Sequence, residues 1–225
     1  MSPKIWRYID MTKFISLLVN EALYFACPNE FEDPFECHIP RHHLEAIYKA
    51  GFPQIKVDQD NREELSVIAK VIKNTASKFG VSCWYKSKYQ SDAMWKLYSA
   101  SIAIESSVEH LKNSIRDQET RENLKIGSVQ YLDFEKAPFR ERYKEQGLFM
   151  KRTAFAHEKE LRAVIYLPKT KNGNLVKCCL NTLITRIHLS PLSKSFIKAD
   201  VEALLRKFNI HKPVIQSDLL QEPVY

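Results

Sequence analysis

"HEKELRAVIYL", residues 157–167, sets Glu158, Glu160 and Arg162 at alternate positions and interleaves them with Leu161, Ala163 and Ile165. Read as a strand, it carries a charged face opposite an apolar one, because successive side chains point to opposite sides. Two carboxylates about 7 Å apart on such a face repel each other, and Arg162 stands ready to relieve them. The bland account is a surface salt bridge. The sharper account makes Arg162 the partner that orients Glu160, leaving Glu158 or Glu160 to act on a substrate hydroxyl or a developing cation. Spacing leaves both open.

Downstream, "GNLVKCCLN" (173–181) and "ITRIHLS" (184–190) add two more strands, divided by turn signals such as Asn172-Gly173. Further strands are expected at "KIWRYI" (4–9), "ALYFA" (22–26), "VSCWY" (81–85), "SIAIES" (101–106), "KIGSVQYLDF" (125–134) and "PVIQSDL" (213–219). Between them lie helical patterns. "MTKFISLLVNEA" (11–22) places Phe14, Leu17 and Leu18 at helical spacing, with Thr12 as its N-cap. Residues 62–79 put Leu65, Ile68, Ala69 and Ile72 on one side, and Gly80 is expected to stop that helix. Shorter helices are expected over 91–99, capped by Ser91 or Asp92, and over 107–117, with a longer one over 193–208. The charged stretch 135–152 reads as partly helical, and "CPNEFEDPFECHIP" (27–40) as a loop in which Pro34 biases Asp33 away from helical geometry. The irregular mixture, with strands clustered over 160–190, predicts a single α+β domain spanning 1–225.

Composition fits that reading. The 225 residues are 44 % hydrophobic and 27 % charged, and 5 glycines against 10 prolines argue against a low-complexity chain. No apolar run approaches the roughly 18–20 residues of a membrane span, and the opening residues lack a secretory h-region, so a cytoplasmic protein without a membrane partner is expected. Five scattered cysteines without a CxxC pair read as structural thiols. A formal net charge of +7 favours attraction to phosphate, although the basic residues are spread along the chain.

Several residue sets could carry chemistry. Arg7 lies between Trp6 and Tyr8 on the first expected strand, where a guanidinium either grips phosphate bidentately or faces solvent. Residues 30–38 hold Glu30, Glu32, Asp33 and Glu36, then Cys37 and His38. Binding of a hard metal by Asp33 and Glu36 is conceivable, but no regular ligand loop is present and no metal is expected. Phe31 and Phe35 are read as plugs for that loop. "AMWKLYS" (93–99) aligns Met94, Trp95 and Tyr98 on one stripe, which is either core or a pocket wall that stacks a ring. Asp33, Asp133, Glu135 and Lys136 offer a metal-dependent nuclease as a rival reading. A non-catalytic nucleic-acid or protein-binding module explains the charge without calling on Glu158 or Glu160.

"WRYI", "LYFACPNEFEDPFE", "VSCW", "MWKLYS", "HEKELR" and the tail "RIHLSPLSKSFIKADVEALL…VIQSDL" occur in an order that resembles a bacterial domain family of unknown function, family 2971, over nearly the whole chain. Glu32 stands where that family more often has asparagine. The layout in turn resembles the ADP-ribosyltransferase superfamily, which implies a split β-sandwich of mixed and antiparallel sheets with flanking helices. The resemblance implies NAD as substrate and a macromolecular acceptor, nucleic acid or protein, in a phage-defence or toxin setting. It implies Arg7, Tyr8, Trp95, Tyr98 and Ser99 as the NAD-binding set. It implies Glu160, with Glu158, as the catalytic carboxylates; Arg162, from its place on the strand, and Asp33, from its turn, are read as orienting groups beside them.

Overall fold

The computed structural model describes residues 2–33, 35–36, 39–51, 62–136, 146–167 and 173–221. The architecture is mixed α+β, built on a seven-stranded, mostly antiparallel sheet. In chain order its strands are β1 (Lys4–Ile9), β3 (Phe79–Lys86), β4 (Ile102–Ser107), β5 (Lys125–Ser128), β8 (Glu160–Tyr166), β10 (Arg186–Leu189) and β11 (Val214–Gln216). They are arranged β11-β10-β4-β1-β3-β8-β5, with only the β10–β11 pair parallel. Two small ribbons complete the strands: β2 (Ala22–Phe25) antiparallel to β9 (Asn174–Lys177), and β6 (Gln130–Leu132) parallel to β7 (Met150–Arg152).

One face of the large sheet presents Ile5, Ile9, Trp84, Leu161, Ala163 and Ile165 to the main core. That core is closed by α1 (Met11–Asn20) through Phe14, Leu17 and Leu18, by the β2–β9 ribbon through Leu23, Phe25 and Val176, and by α5 (Val108–Ser114), α7 (Leu180–Leu183) and α8 (Phe196–Lys207). The opposite face is covered in two patches. Trp6, Tyr8 and Ala103 pack on Met94 and Trp95 of α4 (Asp92–Leu97), and Val81 and Val164 pack on Ala76 and Leu148. Alternation along β8 therefore holds: Leu161, Ala163 and Ile165 join the main core, and Glu160 and Arg162 lie behind it.

Four expectations need correction. Asp10, not Thr12, caps α1: its carboxylate accepts the Lys13 N–H at 2.8 Å, because β1 runs straight into the helix and leaves Asp10 in extended geometry. The helix α3 (Arg62–Ala76) stops before Gly80, which sits inside β3. "KIGSVQYLDF" is not one strand. It pairs with β8 as β5, breaks at Val129, whose N–H donates to Glu160 O at 2.9 Å, and resumes as β6 in another sheet. Glu158 does not belong to β8; it ends a 3-10 helix, Thr153–Glu158, and Lys159 in the left-handed region (φ 40°) swings the chain into the strand.

Three helices went unrecognised. In α2 (Arg41–Gly51) the buried positions are His43 and Tyr48, too polar to signal an apolar stripe; α6 (Gln118–Asn123) buries nothing, and α7 is a single turn. Pro34, Cys37, His38, Asn172 and residues 137–145 of the charged stretch lie outside the described residues. Among the described residues, no helix is long and apolar enough to cross a membrane.

Candidate functional site

The large sheet is split at its middle. β1 meets β3 through Ile5↔Lys86 and Trp6↔Tyr85, whereas β1 meets β4 through six pairs and β3 meets β8 through seven. Farther along, β3 takes a different neighbour on that edge: Val81 exchanges backbone hydrogen bonds with Ala26, just beyond β2, at 2.8 and 2.9 Å. The edge groups of Ser82, Cys83 and Trp84 are left between these two attachments. Arg7 fills the gap. Its guanidinium donates to Ser82 Oγ, to Cys83 O at 3.4 Å and to Tyr24 O at 3.3 Å, and lies over the Trp84 ring at 5.6 Å. These partners are all neutral, and among the described residues no carboxylate lies within ion-pair distance of Arg7. Burial depresses its pKa from the ordinary value, which marks a charge the fold leaves uncompensated.

A cleft of about 450 Å³ opens along the split. Its wall includes Arg7, Tyr8, Tyr24, Tyr98, Glu158 and Glu160. The register Trp6↔Tyr85↔Glu160 crosses two strand spacings, so the opening strand and Glu160 stand about 10 Å apart. The expected NAD-binding residues do not all converge. Tyr8 lines the cleft and its hydroxyl accepts the Ser91 N–H at 2.9 Å. Tyr98, 44 % exposed at the end of α4, lines it too. Trp95 is 4 % exposed and packs edge-on behind Tyr8, ring centroids 5.0 Å apart. Ser99 is exposed in a left-handed turn (φ 43°) and is not part of this wall.

The acidic end is a buried cluster of five charges. Lys151 Nζ donates to Glu158 Oε2 at 2.6 Å and to Glu160 Oε1 at 2.7 Å, with Glu36 Oε1 at 3.7 Å. Arg162, wholly buried, donates through Nε to Glu160 Oε2 at 2.8 Å, through Nη1 to Leu148 O at 2.8 Å, and through Nη2 to Glu36. Arg162 therefore orients Glu160. Sequence reasoning missed Lys151 because a lone lysine in a three-residue strand has no signal. It becomes visible only through the Tyr131↔Lys151 pairing of β6 with β7. The same ribbon lets Tyr131 accept the Glu160 N–H at 2.7 Å.

Electrostatics separate the two cleft carboxyls. Burial, then the hydrogen bond shared with Glu160, raises Glu158 to about 7 despite Lys151. Burial works on Glu160 in the same direction, but the Arg162 guanidinium, the bond from Glu158 and Lys151 outweigh it and hold Glu160 below the usual carboxylate range. Burial, with Glu158 and Glu160 nearby, raises the Tyr98 phenol, and burial raises the Cys83 thiol, which disqualifies Cys83 as a nucleophile at neutral pH.

Asp33 accepts from Arg152 at 2.8 Å and from the Phe35 N–H at 3.0 Å, so it fastens its loop to β7. Phe31 lies over Arg162 at 5.4 Å and covers the cluster, while Phe35 remains half exposed beneath Arg152. Asp133 and Glu135, the rival nuclease carboxylates, are exposed, and Asp133 caps the Glu135 N–H at 3.0 Å. Among the described residues, no three His, Cys, Asp or Glu side chains are grouped to hold a metal ion. No protein-family model, curated protein or solved structure matches this chain.

Proposed function

We propose that this chain is an ADP-ribosyltransferase-like enzyme of the family-2971 type, using NAD to modify a macromolecular acceptor, nucleic acid before protein, in a phage-defence or toxin setting. One observation carries the reading: the uncompensated Arg7 guanidinium and the Glu158–Glu160 pair open onto the same cleft. Its volume falls within the ~300–1,000 Å³ of small-molecule sites, and its tyrosines offer flat faces beside polar hydroxyls. Arg7 would hold the diphosphate of NAD with its unused donors. Leaving of nicotinamide builds positive charge on the ribose, and the carboxylates would stabilise that charge most where it is largest, in the transition state. The net charge of +7 favours a nucleic-acid acceptor.

A thermal shift with NAD tests the reading. At one hundred times Kd a bound ligand adds about 2.7 kcal/mol, which is roughly 5–10 °C for a chain of this length. The shift is expected for the wild type and lost in Arg7→Ala, whereas Glu160→Gln is expected to lose nicotinamide release. Tyr98→Ala, at an exposed position, is the reserve should either variant fail to fold. A wild-type protein unmoved by millimolar NAD, and releasing no nicotinamide, sinks the proposal.

A further inference from the structure

Glu158 and Glu160 differ in how fully the protein occupies them. Both oxygens of Glu160 accept a cation's hydrogen bond, Oε1 from Lys151 and Oε2 from Arg162, and its backbone is held by Tyr131. Glu158 accepts from Lys151 through Oε2 alone, and among the described residues it has no second hydrogen-bond donor. It also stands off the strand, at the end of a 3-10 helix, with the left-handed Lys159 between it and Glu160. The cluster holds three carboxylates (Glu36, Glu158, Glu160) against two cations (Lys151, Arg162), so one proton makes it neutral. That proton has its best place between Glu158 and Glu160, because a second buried negative charge beside Glu160 is costly.

We infer that Glu158, rather than Glu160, is the carboxyl that meets the cleft's contents and exchanges a proton with them, and that Glu160 and Lys151 are positioning residues that fix its place and its charge. The groups facing Glu158 are Lys151 from β7, Glu160 from β8, Glu36 and Arg162 beyond them, Tyr131 from β6 and Tyr98 after α4. Lys151 is the nearest cation and favours the carboxylate form, so removing it makes Glu158 harder to ionise.

For its chemical step the inference rests on the NAD reading above. With water as acceptor, the bond from C1′ to the nicotinamide nitrogen breaks and its electron pair leaves on nicotinamide. A water oxygen bonds to C1′, and that water's proton passes to the Glu158 carboxylate. The rate should then rise with pH as Glu158 ionises, near neutrality.

The test has two arms, and the first needs no NAD. In protein labelled with 13C at the glutamate carboxyls, one carboxyl is expected to titrate near neutrality. That signal should vanish in Glu158→Gln, move acidic in Glu160→Gln, where the neighbouring negative charge is gone, and move alkaline by about one unit or more in Lys151→Met, while Lys151→Arg restores it. A neutral-range carboxyl missing from the wild type, or surviving in Glu158→Gln, overturns the inference, as does an unmoved signal in Lys151→Met. The second arm follows nicotinamide release against pH, and the inflection should move with the NMR titration across the same variants. A titration that behaves as expected, with no nicotinamide released by the wild type, upholds the proton-exchanging role and removes the NAD reading. Release with an inflection independent of Lys151 overturns the inference and keeps that reading.

Discussion

Arg162 has none of its side chain exposed, yet it carries a full charge and donates to Glu160, Glu36 and the Leu148 carbonyl. Such a residue is retained where its donors are met, and here the fork geometry lets one guanidinium serve three places: β8, the Glu36 loop and the 3-10 helix Gln146–Phe149 that precedes β7. Substituting methionine keeps the volume but leaves Glu36 and Glu160 buried with one cation between them. Arg162→Met is expected to lose about 3–5 kcal/mol in urea unfolding, the range for breaking a buried pair from one side. Lysine at the same place should recover only part of this, since its single nitrogen lacks the fork that meets Glu160, Glu36 and the Leu148 carbonyl from three separate nitrogens. A loss under about 1 kcal/mol would show that the cluster relaxes or takes in water, and would undercut its use as a rigid holder.

Gly80 shows how an element signal misleads. After an amphipathic helix a glycine reads as a stop, but α3 has already ended at Ala76 and Gly80 lies within β3. Its role is close approach: a Cβ there would stand 2.9 Å from Phe25 Cβ and 2.7 Å from Leu167 Cδ1. β2 can therefore lie on β3 next to the Ala26–Val81 attachment that holds the split open. Gly80→Val should cost about 1–3 kcal/mol from overpacking, measured as a lowered urea midpoint with unchanged slope. A neutral substitution would mean that β2 does not rest on β3 so tightly. Strands with dense branched or aromatic residues, such as β1, β4 and β8, were legible because burial rewards that composition wherever the chain places them. β6 and β7 were not. Three residues hold no period, and their pairing depends on where distant segments fall. The kink at Lys159 was equally hidden, since a lysine in the left-handed region follows from its surroundings and not from its own preference.

At the scale of the whole molecule, the order of Arg7, Tyr98 and the acidic pair was readable, but their meeting depends on a split that no local pattern records. The partner of Glu158, Lys151, comes from a ribbon formed far from either. The charge balance was readable too, and the fold sharpens it. Of 34 lysines and arginines and 27 acids, the buried cluster takes two cations and three carboxylates, so 32 cations face 24 acids and the rest of the chain carries +8. Exposed cations such as Lys13 on α1, Lys96 on α4 and Arg116 between α5 and α6 are dispersed along the chain, so contact with a polyanion should be sequence-tolerant and electrostatic. A single-stranded oligonucleotide touching three or four of these cations should bind roughly 20- to 50-fold more weakly at 200 mM salt than at 50 mM, from a slope near −0.7 per contact. Fluorescence anisotropy across that range measures it. Because the cleft carboxyls are buried away from this surface charge, Glu158→Gln should leave both affinity and slope unchanged. Affinity that ignores salt, or that collapses in Glu158→Gln, would mean that nucleic acid is not held by the outer charge, and the case for it as the favoured acceptor would fall.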